Sequence, residues 1–540
     1  MNFNLRHRVV PTLIHQNSKL SSPSAILGYL FMISIRTFKW IYAGLWMSRV
    51  CFAFLGTGYI HPDEHMQNGE VTSGDLIPYH TIRTWEWSAA LPVRSIVPAF
   101  ATTGIPVWFA KFFSNTRLTQ GIHPMLIFRL ERSAFLVLSG LIDYSFMSLV
   151  PTPGARHLGL LLLASSHVMN TFQVRPFSNS IEAVLVALSL LFLRKISSVK
   201  TLDKSYLLHL LAATFVTGIF TRPTFLIFGA PIAYQRLRLV VPPLFTAAGT
   251  CTAFFVADTL YFRGTLNDIV VTPFNFLMYN FAPQNLAEHG LHPRWLHLFV
   301  NLPMLFGPWV TWLAVRAIMD SATIFDKKND KSFEVYVLRP TIIQMIILSL
   351  TVLSVQPHQE PRFLVPLLLP IIVLIANTGR LAHVGKAFWV SCSIFNFVLA
   401  VLFGILHQGG VVPSLFHLHS VIADASLGTR TNIIYWKTYT PPLHFLGMSQ
   451  SGLISFVDLA GASQDNFAAS LSASDYDRTF VVTPVAMQHT LPPTITGCME
   501  LNKSIFPHLD LDHISESIDT GVLDGLRLGV YTLSPNCVFV

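Results

Sequence analysis

The sequence predicts an all-α polytopic membrane protein of about eleven transmembrane helices, followed by a small mixed α/β region. Two observations carry this prediction. Of 540 residues, 52% are hydrophobic and only 12% charged, and the mean hydropathy is +0.51; a soluble chain carries roughly twice that share of charge. Apolar runs also recur from residue 40 to about 406, and they are continuous rather than alternating. Lipid offers backbone groups no partners, so only helices or closed barrels span a bilayer. The missing alternation excludes the barrel.

Residues 1–38 read as a cytosolic tail, in which Arg6, His7 and Arg8 precede a polar Ser/Pro stretch with no cleavable signal pattern. Residues 39–406 hold twelve apolar segments, at roughly 40–58, 96–113, 133–150, 157–173, 181–194, 206–221, 223–234, 241–262, 297–315, 338–356, 363–377 and 387–406. Several fall short of the ~20 residues a bilayer requires, and read as half-helices or tilted helices held by neighbours. Six basic clusters read as cytosolic. They are Arg36 with Lys39; Lys111, Arg117, Arg129 and Arg132; Arg194, Lys195, Lys200 and Lys204; Arg236 with Arg238; Arg316, Lys327, Lys328 and Lys331; and Arg380 with Lys386. The opposite, lumenal face then receives a first loop 59–95, a second large loop 263–296, a tight turn 357–362 and the region 407–540. Opposite ends on opposite faces demand an odd number of crossings. One of the twelve segments is therefore not a crossing, and the basic clusters put the conflict in 133–180.

Residues 407–540 change character. Aspartates are frequent, and Arg478–Val485 and Leu526–Leu533 have strand-like patterns. Asn502-Lys503-Ser504 is a glycosylation sequon. Cys498 and Cys537 either pair in an oxidising lumen or remain thiols. The five cysteines show no CxxC or Cys/His spacing, so no zinc site, metal or cofactor is expected. The net charge of +8 sits between apolar runs, without the aromatic-interleaved patch that single-stranded nucleic acid requires, so nucleic acid is excluded as a partner.

The polar residues of the lumenal loops fall in clusters. Tyr59-Ile60-His61-Pro62-Asp63-Glu64-His65-Met66-Gln67 puts an acid pair directly behind the first span. Read structurally, Pro62-Asp63-Glu64 opens a short helix with its acids in water; read functionally, an acid pair at a membrane face marks a site. The second cluster runs from Asn275 to Asn301 and includes Glu288, His289, His292, Arg294 and His297 around Gly290. Its structural reading is an interfacial belt anchored by Tyr279 and Trp295. The third, Gln356-Pro357-His358-Gln359-Glu360-Pro361-Arg362, is a tight turn that needs its prolines but not its His, Glu and Arg together. Arg175-Pro176-Phe177-Ser178-Asn179-Ser180-Ile181-Glu182 is a fourth polar insertion, or a capped helix start. Arg222 is a headgroup anchor or a ligand for a lipid phosphate.

Such clusters suit sugar transfer from a lipid phosphate. The phosphate leaves without a general acid, while the acceptor hydroxyl needs one carboxylate base on the opposite face of the sugar, which gives inversion. Cations beside the phosphate take the place of a metal.

His61-Pro62-Asp63-Glu64-His65-Met66-Gln67 resembles the first-loop motif of the dolichyl-phosphate-mannose-dependent mannosyltransferases that build GPI anchors and N-glycan precursors. Met66 stands where that family usually has an aromatic residue. Asn285-Leu286-Ala287-Glu288-His289-Gly290-Leu291-His292-Pro293-Arg294 followed by Val300-Asn301-Leu302-Pro303, and Tyr435-Trp436-Lys437-Thr438-Tyr439-Thr440-Pro441-Pro442, resemble the branch that adds the fourth mannose of a GPI precursor. Pro357-His358-Gln359-Glu360-Pro361-Arg362 points the same way. The resemblance spans about 56–445. It implies a GT-C fold in the endoplasmic reticulum membrane, lumenal chemistry, and α1,2 transfer from dolichyl phosphate mannose to a GPI glycolipid. Its first-loop acid falls on Asp63. On this reading Asp63 is the base, and Glu64 is a second candidate or orients the acceptor. Arg362, His358 and Arg294 hold the donor phosphate, His289 and His292 line the sugar site, and His61, Gln67 and Glu360 complete the substrate-binding set. The alternatives are a sister mannosyltransferase with another GPI or N-glycan acceptor, and a transporter or flippase whose lumenal acids bind a substrate.

Overall fold

A computed structural model describes residues 34–113, 121–198, 204–235, 241–282, 284–285, 290–324, 332–426, 428–449, 451–472, 476–521 and 523–534. Most of the expected tail 1–38, as well as His289, Arg117 and Cys537, lies outside the described residues. Helices dominate up to Leu406. Ile96–Phe113, Pro243–Arg263, Val335–Val355 and Lys386–Leu406 are long and apolar enough to cross a membrane. His297–Phe306 and Pro308–Ser321 form a broken pair bent by 115°. Shorter apolar helices sit among their neighbours: Leu368–Asn377 buries every residue from Leu368 to Ala376, as a helix that is apolar on all sides must.

Polar side chains fix how the helices pair. Arg49 of helix Ile35–Leu55 forms an ion pair with Asp143 of helix Pro124–Leu149 at 3.0 Å, both buried, and Tyr42 and Trp46 also donate to Asp143. Arg49 also reaches Ser139, one turn earlier on the same helix. The two helices therefore run antiparallel.

Two expectations about the basic residues fail. Lys111 donates to the carbonyl of Leu76, and Arg132 forms an ion pair with Glu64. Both partners belong to the first loop, so neither cation lies across a ~30 Å bilayer from it. The positive-inside bias counts solvated loop charges, whereas Arg132 is a buried ligand of an acid. Ile96–Phe113 meets the first-loop face at both ends. Ser95 and Ile96 bond Asp258, whose helix also ties to that loop through Tyr261–Asp75 and Arg263–Ala89. At the other end stands Lys111. Length and composition admit this segment as a span, and side-chain contacts tie both its ends to residues of the first loop or of the helix bound to it.

The first loop is pinned where it begins. Gly58 donates to the carbonyl of Gly404 at 3.0 Å, and a Cβ on Gly58 would run into the backbone at 403–405. Tyr59 N–H bonds the His407 carbonyl at 2.7 Å. The end of the last long helix thus holds the start of the acid-bearing loop.

Residues after 406 build a five-stranded sheet. In chain order the strands are β1 (Thr431–Tyr435), β2 (Ile454–Asp458), β3 (Arg478–Pro484), β4 (Met499–Ile505) and β5 (Leu528–Leu533). Their spatial order is β2-β1-β3-β5-β4; β2 and β3 flank β1 in parallel, and the other pairings are antiparallel. The period-two alternation of strands splits the side chains. Ile433, Tyr435, Phe480, Val482, Leu528 and Val530 pack on helix Val411–Ala423 and the first loop. Ile434, Trp436, Val481 and Tyr531 pack under helix Gln464–Ser472. Both strand-like stretches of the sequence fall on strands, β3 and β5. Cys498 is disulfide-bonded, while Cys51, Cys251 and Cys392 are thiols.

Candidate active site

Pro62 starts a single helical turn, Asp63–Met66, that carries both acids of the first loop. Adjacent helical residues point about 100° apart, and here that separates their fates. Glu64 is fully buried. It takes ion pairs from Arg132 and from Arg175 (2.9 Å), themselves at most 1% exposed. Arg175 also spans the carbonyls of Gly58 and Gly404. Glu64 lines none of the described cavities, and its buried ion pairs engage both carboxylate oxygens. It is the anchor of the loop.

Asp63 turns the other way, with a quarter of its side chain exposed. It lines a cavity of about 460 Å³ between the first loop, the second large loop and the turn 357–362. Arg362 pairs with it, Gln67 donates to it, and His61 Nδ1 stands 3.5 Å away. Burial alone would raise its pKa; the Arg362 guanidinium and His61 outweigh that and hold the carboxyl well below the usual carboxylate range. Arg362 forks onto Glu360, one arm at 2.9 Å, and His358 Nε2 reaches Glu360 at 2.7 Å. Against its burial, these cations hold Glu360 far down, while Glu360 in turn lifts His358 above an ordinary imidazole. The tight turn is thus a charge cluster aimed at Asp63.

Other members arrive from afar. Ser178, from the fourth insertion, donates to Gln67 at 2.6 Å. It accepts from Arg94 (3.3 Å) and Arg222 (2.9 Å), and Arg94 is also held by Glu86 at 2.6 Å. This chain positions Asp63 from behind. Gln67 itself is buried and supports Asp63 rather than facing the cavity. His292 lines the cavity and accepts the Gln359 N–H at 3.3 Å, joining the second loop to the turn. Trp85 and Tyr279 stack with ring centroids 3.9 Å apart on the cavity wall, a flat platform for the apolar face of a sugar. Arg294, expected at the phosphate, is exposed and lines no described cavity.

Two further cavities adjoin. An apolar one of about 290 Å³ lies between residues 222–227 and 352–363, and shares Arg222, Phe276, Asn280, His358 and Phe363 with the first. Another, of about 230 Å³, lies beyond His61, Glu360 and Arg362, and is lined also by His407, Tyr439 and Asp512. No motif in the sequence marks Asp512, one acid among many in its region, or the Arg94–Glu86 pair.

Comparison with known proteins agrees with this architecture. GPI mannosyltransferase 4 of Emericella nidulans is 32% identical over 537 residues, covering 90% of this chain and 95% of that one. GPI mannosyltransferase 4 of Schizosaccharomyces pombe is 30% identical, over 94% of this chain and 97% of that protein. GPI alpha-1,2-mannosyltransferase 4 of Homo sapiens is 30% identical, over 87% and 89%. The crystal structure of ArnT from Cupriavidus metallidurans bound to undecaprenyl phosphate superimposes with a TM-score of 0.53 at 11% identity, over 93% of this chain and 98% of that one, which shows the GT-C fold. The profile of the Alg9-like mannosyltransferase family matches residues 40–447, and the chain belongs to that family.

Proposed function

We propose that this mannosyltransferase moves mannose from dolichyl phosphate mannose, in α1,2 linkage and with inversion, onto the third mannose of a GPI precursor in the lumen of the endoplasmic reticulum. The observation that carries the reading is the position of Asp63: a partly exposed carboxylate on the wall of the larger cavity, beside a cluster of cations. The names of the relatives support the acceptor.

The apolar cavity suits the polyprenyl chain; Arg222 and His358 line both it and the larger cavity, where Arg362 joins them, and this cluster suits the phosphate. Mannose then lies over Trp85 and Tyr279 with its anomeric carbon toward Asp63. The acceptor enters from the cavity lined by Tyr439 and Asp512. The acceptor hydroxyl gives its proton to Asp63 and bonds to the anomeric carbon, whose bond to the phosphate oxygen breaks; dolichyl phosphate leaves. One in-line displacement inverts the centre.

A carboxylate held far below its usual range is a weak base, since general bases work best with a pKa near ambient pH. An arriving phosphate competes for Arg362 and frees Asp63 to accept a proton. Donor binding thus arms the base, and the reading orders donor before acceptor.

Eleven crossings support the lumenal assignment. With Ile96–Phe113 read as lying along the lumenal face, the proposed crossings are the helical stretches near 35–55, 124–149, 153–177, 178–198, 204–221, 223–234, 241–263, 308–324, 335–355, 361–377 and 386–406. An odd number puts residues 407–540 opposite the start, on the face of Asp63. The experiment is transfer of labelled mannose from purified donor by the purified protein. A labelled four-mannose GPI precursor is the expected product; labelling of another acceptor alone points to a sister specificity, and no transfer with intact donor favours a transporter.

A further inference from the structure

Away from the reaction cavity, His65, Glu131 and His444 meet in the interior. They come from the first loop, the first third of helix Pro124–Leu149 and the segment after β1. One ligand-type atom of each lies within 4.8 Å of the other two, and none of the three side chains is more than 1% exposed. Five polar atoms converge there without a hydrogen-bond partner: both ring nitrogens of His65, both carboxylate oxygens of Glu131, and His444 Nε2. Buried polar atoms are ordinarily paired, and five orphans at one spot require an explanation.

The surroundings are built to hold a ligand set. Glu70 accepts from His444 Nδ1 and from the main-chain N–H groups of Ile82 and His444. That leaves His444 Nε2 as the lone-pair nitrogen facing Glu131, the carboxylate–histidine pairing that orients metal ligands. His444 Nε2 lies 3.3 Å from Glu131 Oε1, yet the two are not aligned as a hydrogen bond. That distance matches the ligand–ligand edge of a tetrahedron with bonds of about 2.0–2.1 Å. Gly69 makes the approach possible, because a Cβ there would run into the Glu131 carboxylate.

We propose that His65, Glu131 and His444 form a structural divalent-metal site, and that two imidazoles and one carboxylate select zinc. The ion clasps the short helix carrying Asp63 to helix Pro124–Leu149 and to the C-terminal region. It takes no part in sugar transfer, because none of its ligands lines the reaction cavity. Sequence spacing hides the site, since its ligands stand at 65, 131 and 444. A proton is the competing occupant. Against the pull of burial, Glu131 and Glu70 push the His444 ring up to about 9. A proton on His444, however, leaves His65 Nδ1 and an oxygen of Glu131 without a partner, and leaves His65 Nε2, 3.3 Å from the Glu64 carboxylate, without an aligned hydrogen bond.

The test is the metal content of the full-length protein, purified in detergent without chelator and measured by elemental mass spectrometry. About one zinc per chain is expected in the wild type and in Asp63→Asn, and less than about a tenth of that in Glu131→Gln and His444→Gln. Stripping the wild type should lower its thermal midpoint, and zinc alone should restore it. Folded, active wild type without stoichiometric divalent metal would overturn the proposal and leave the protonated His444 bridging Glu70 and Glu131. Full zinc in both ligand variants would overturn the ligand assignment.

Discussion

Glu64→Gln isolates the role of the buried acid. Gln keeps the volume of the side chain and one acceptor oxygen but removes the charge. Arg132 and Arg175 would then share the interior with no counter-charge from this position, and neither is more than 1% exposed. Arg132 Nε and Nη1 already lack hydrogen-bond partners. Breaking a buried ion pair costs about 3–5 kcal/mol, because it strands a charge. That is a large share of the about 5–15 kcal/mol by which folded domains are stable. The assay is thermal unfolding of the detergent-purified protein, with accumulation in the membrane measured alongside. Glu64→Gln should melt several degrees lower and accumulate poorly, whereas Asp63→Asn, at a partly exposed position and leaving Arg362 its Glu360 partner, should lose less. Removing Arg132 as well, as Glu64→Gln with Arg132→Met, should recover part of the loss, since replacing both partners of a pair is cheaper than removing one. A Glu64→Gln protein with wild-type melting but no transfer would refute the anchor role and return Glu64 to the chemistry.

Arg362→Ala should raise the KM for the lipid-phosphate donor more than tenfold and leave the acceptor KM nearly unchanged; equal effects on both would remove the phosphate assignment. Asp512→Ala should do the reverse, because its side chain lines only the cavity assigned to the acceptor, and an unchanged acceptor KM would contradict that assignment. Asp63 and Glu360 are both held below their ordinary values. Groups depressed by folding stabilise above their unfolded pKa and lose that contribution as pH falls through the folded one. The thermal midpoint should therefore owe nothing to these acids' titration between pH 7 and about 5, and the part they contribute should be lost only below about 4. A loss centred near pH 6 that Asp63→Asn abolishes would count against the ion-paired geometry.

The sequence made the site's ingredients legible but not their division of labour. Asp63, His61, His358, Glu360 and Arg362 are marked by density of polar residues in short loops between apolar runs, and the fold brings those loops together. Adjacency could not separate Asp63 from Glu64; the partners that bury Glu64, at 132 and 175, are remote in the chain. The same remoteness misdirected the topology, since Arg132 looks like a loop cation until its acid is known. The apolar content of Ile96–Phe113 is blind to whether a helix crosses or lies along a face. In the C-terminal region, alternation marked β3 and β5, yet nothing in it ordered the sheet or singled out Asp512 among many aspartates.

The claim on which the rest hangs is tested by the rate of mannose transfer from dolichyl phosphate mannose to a three-mannose GPI precursor, measured for purified wild type and Asp63→Asn side by side. A general base contributes about 10²–10⁴-fold, so the variant should lose at least 100-fold while remaining folded. A folded Asp63→Asn protein that transfers mannose at the wild-type rate would contradict the account.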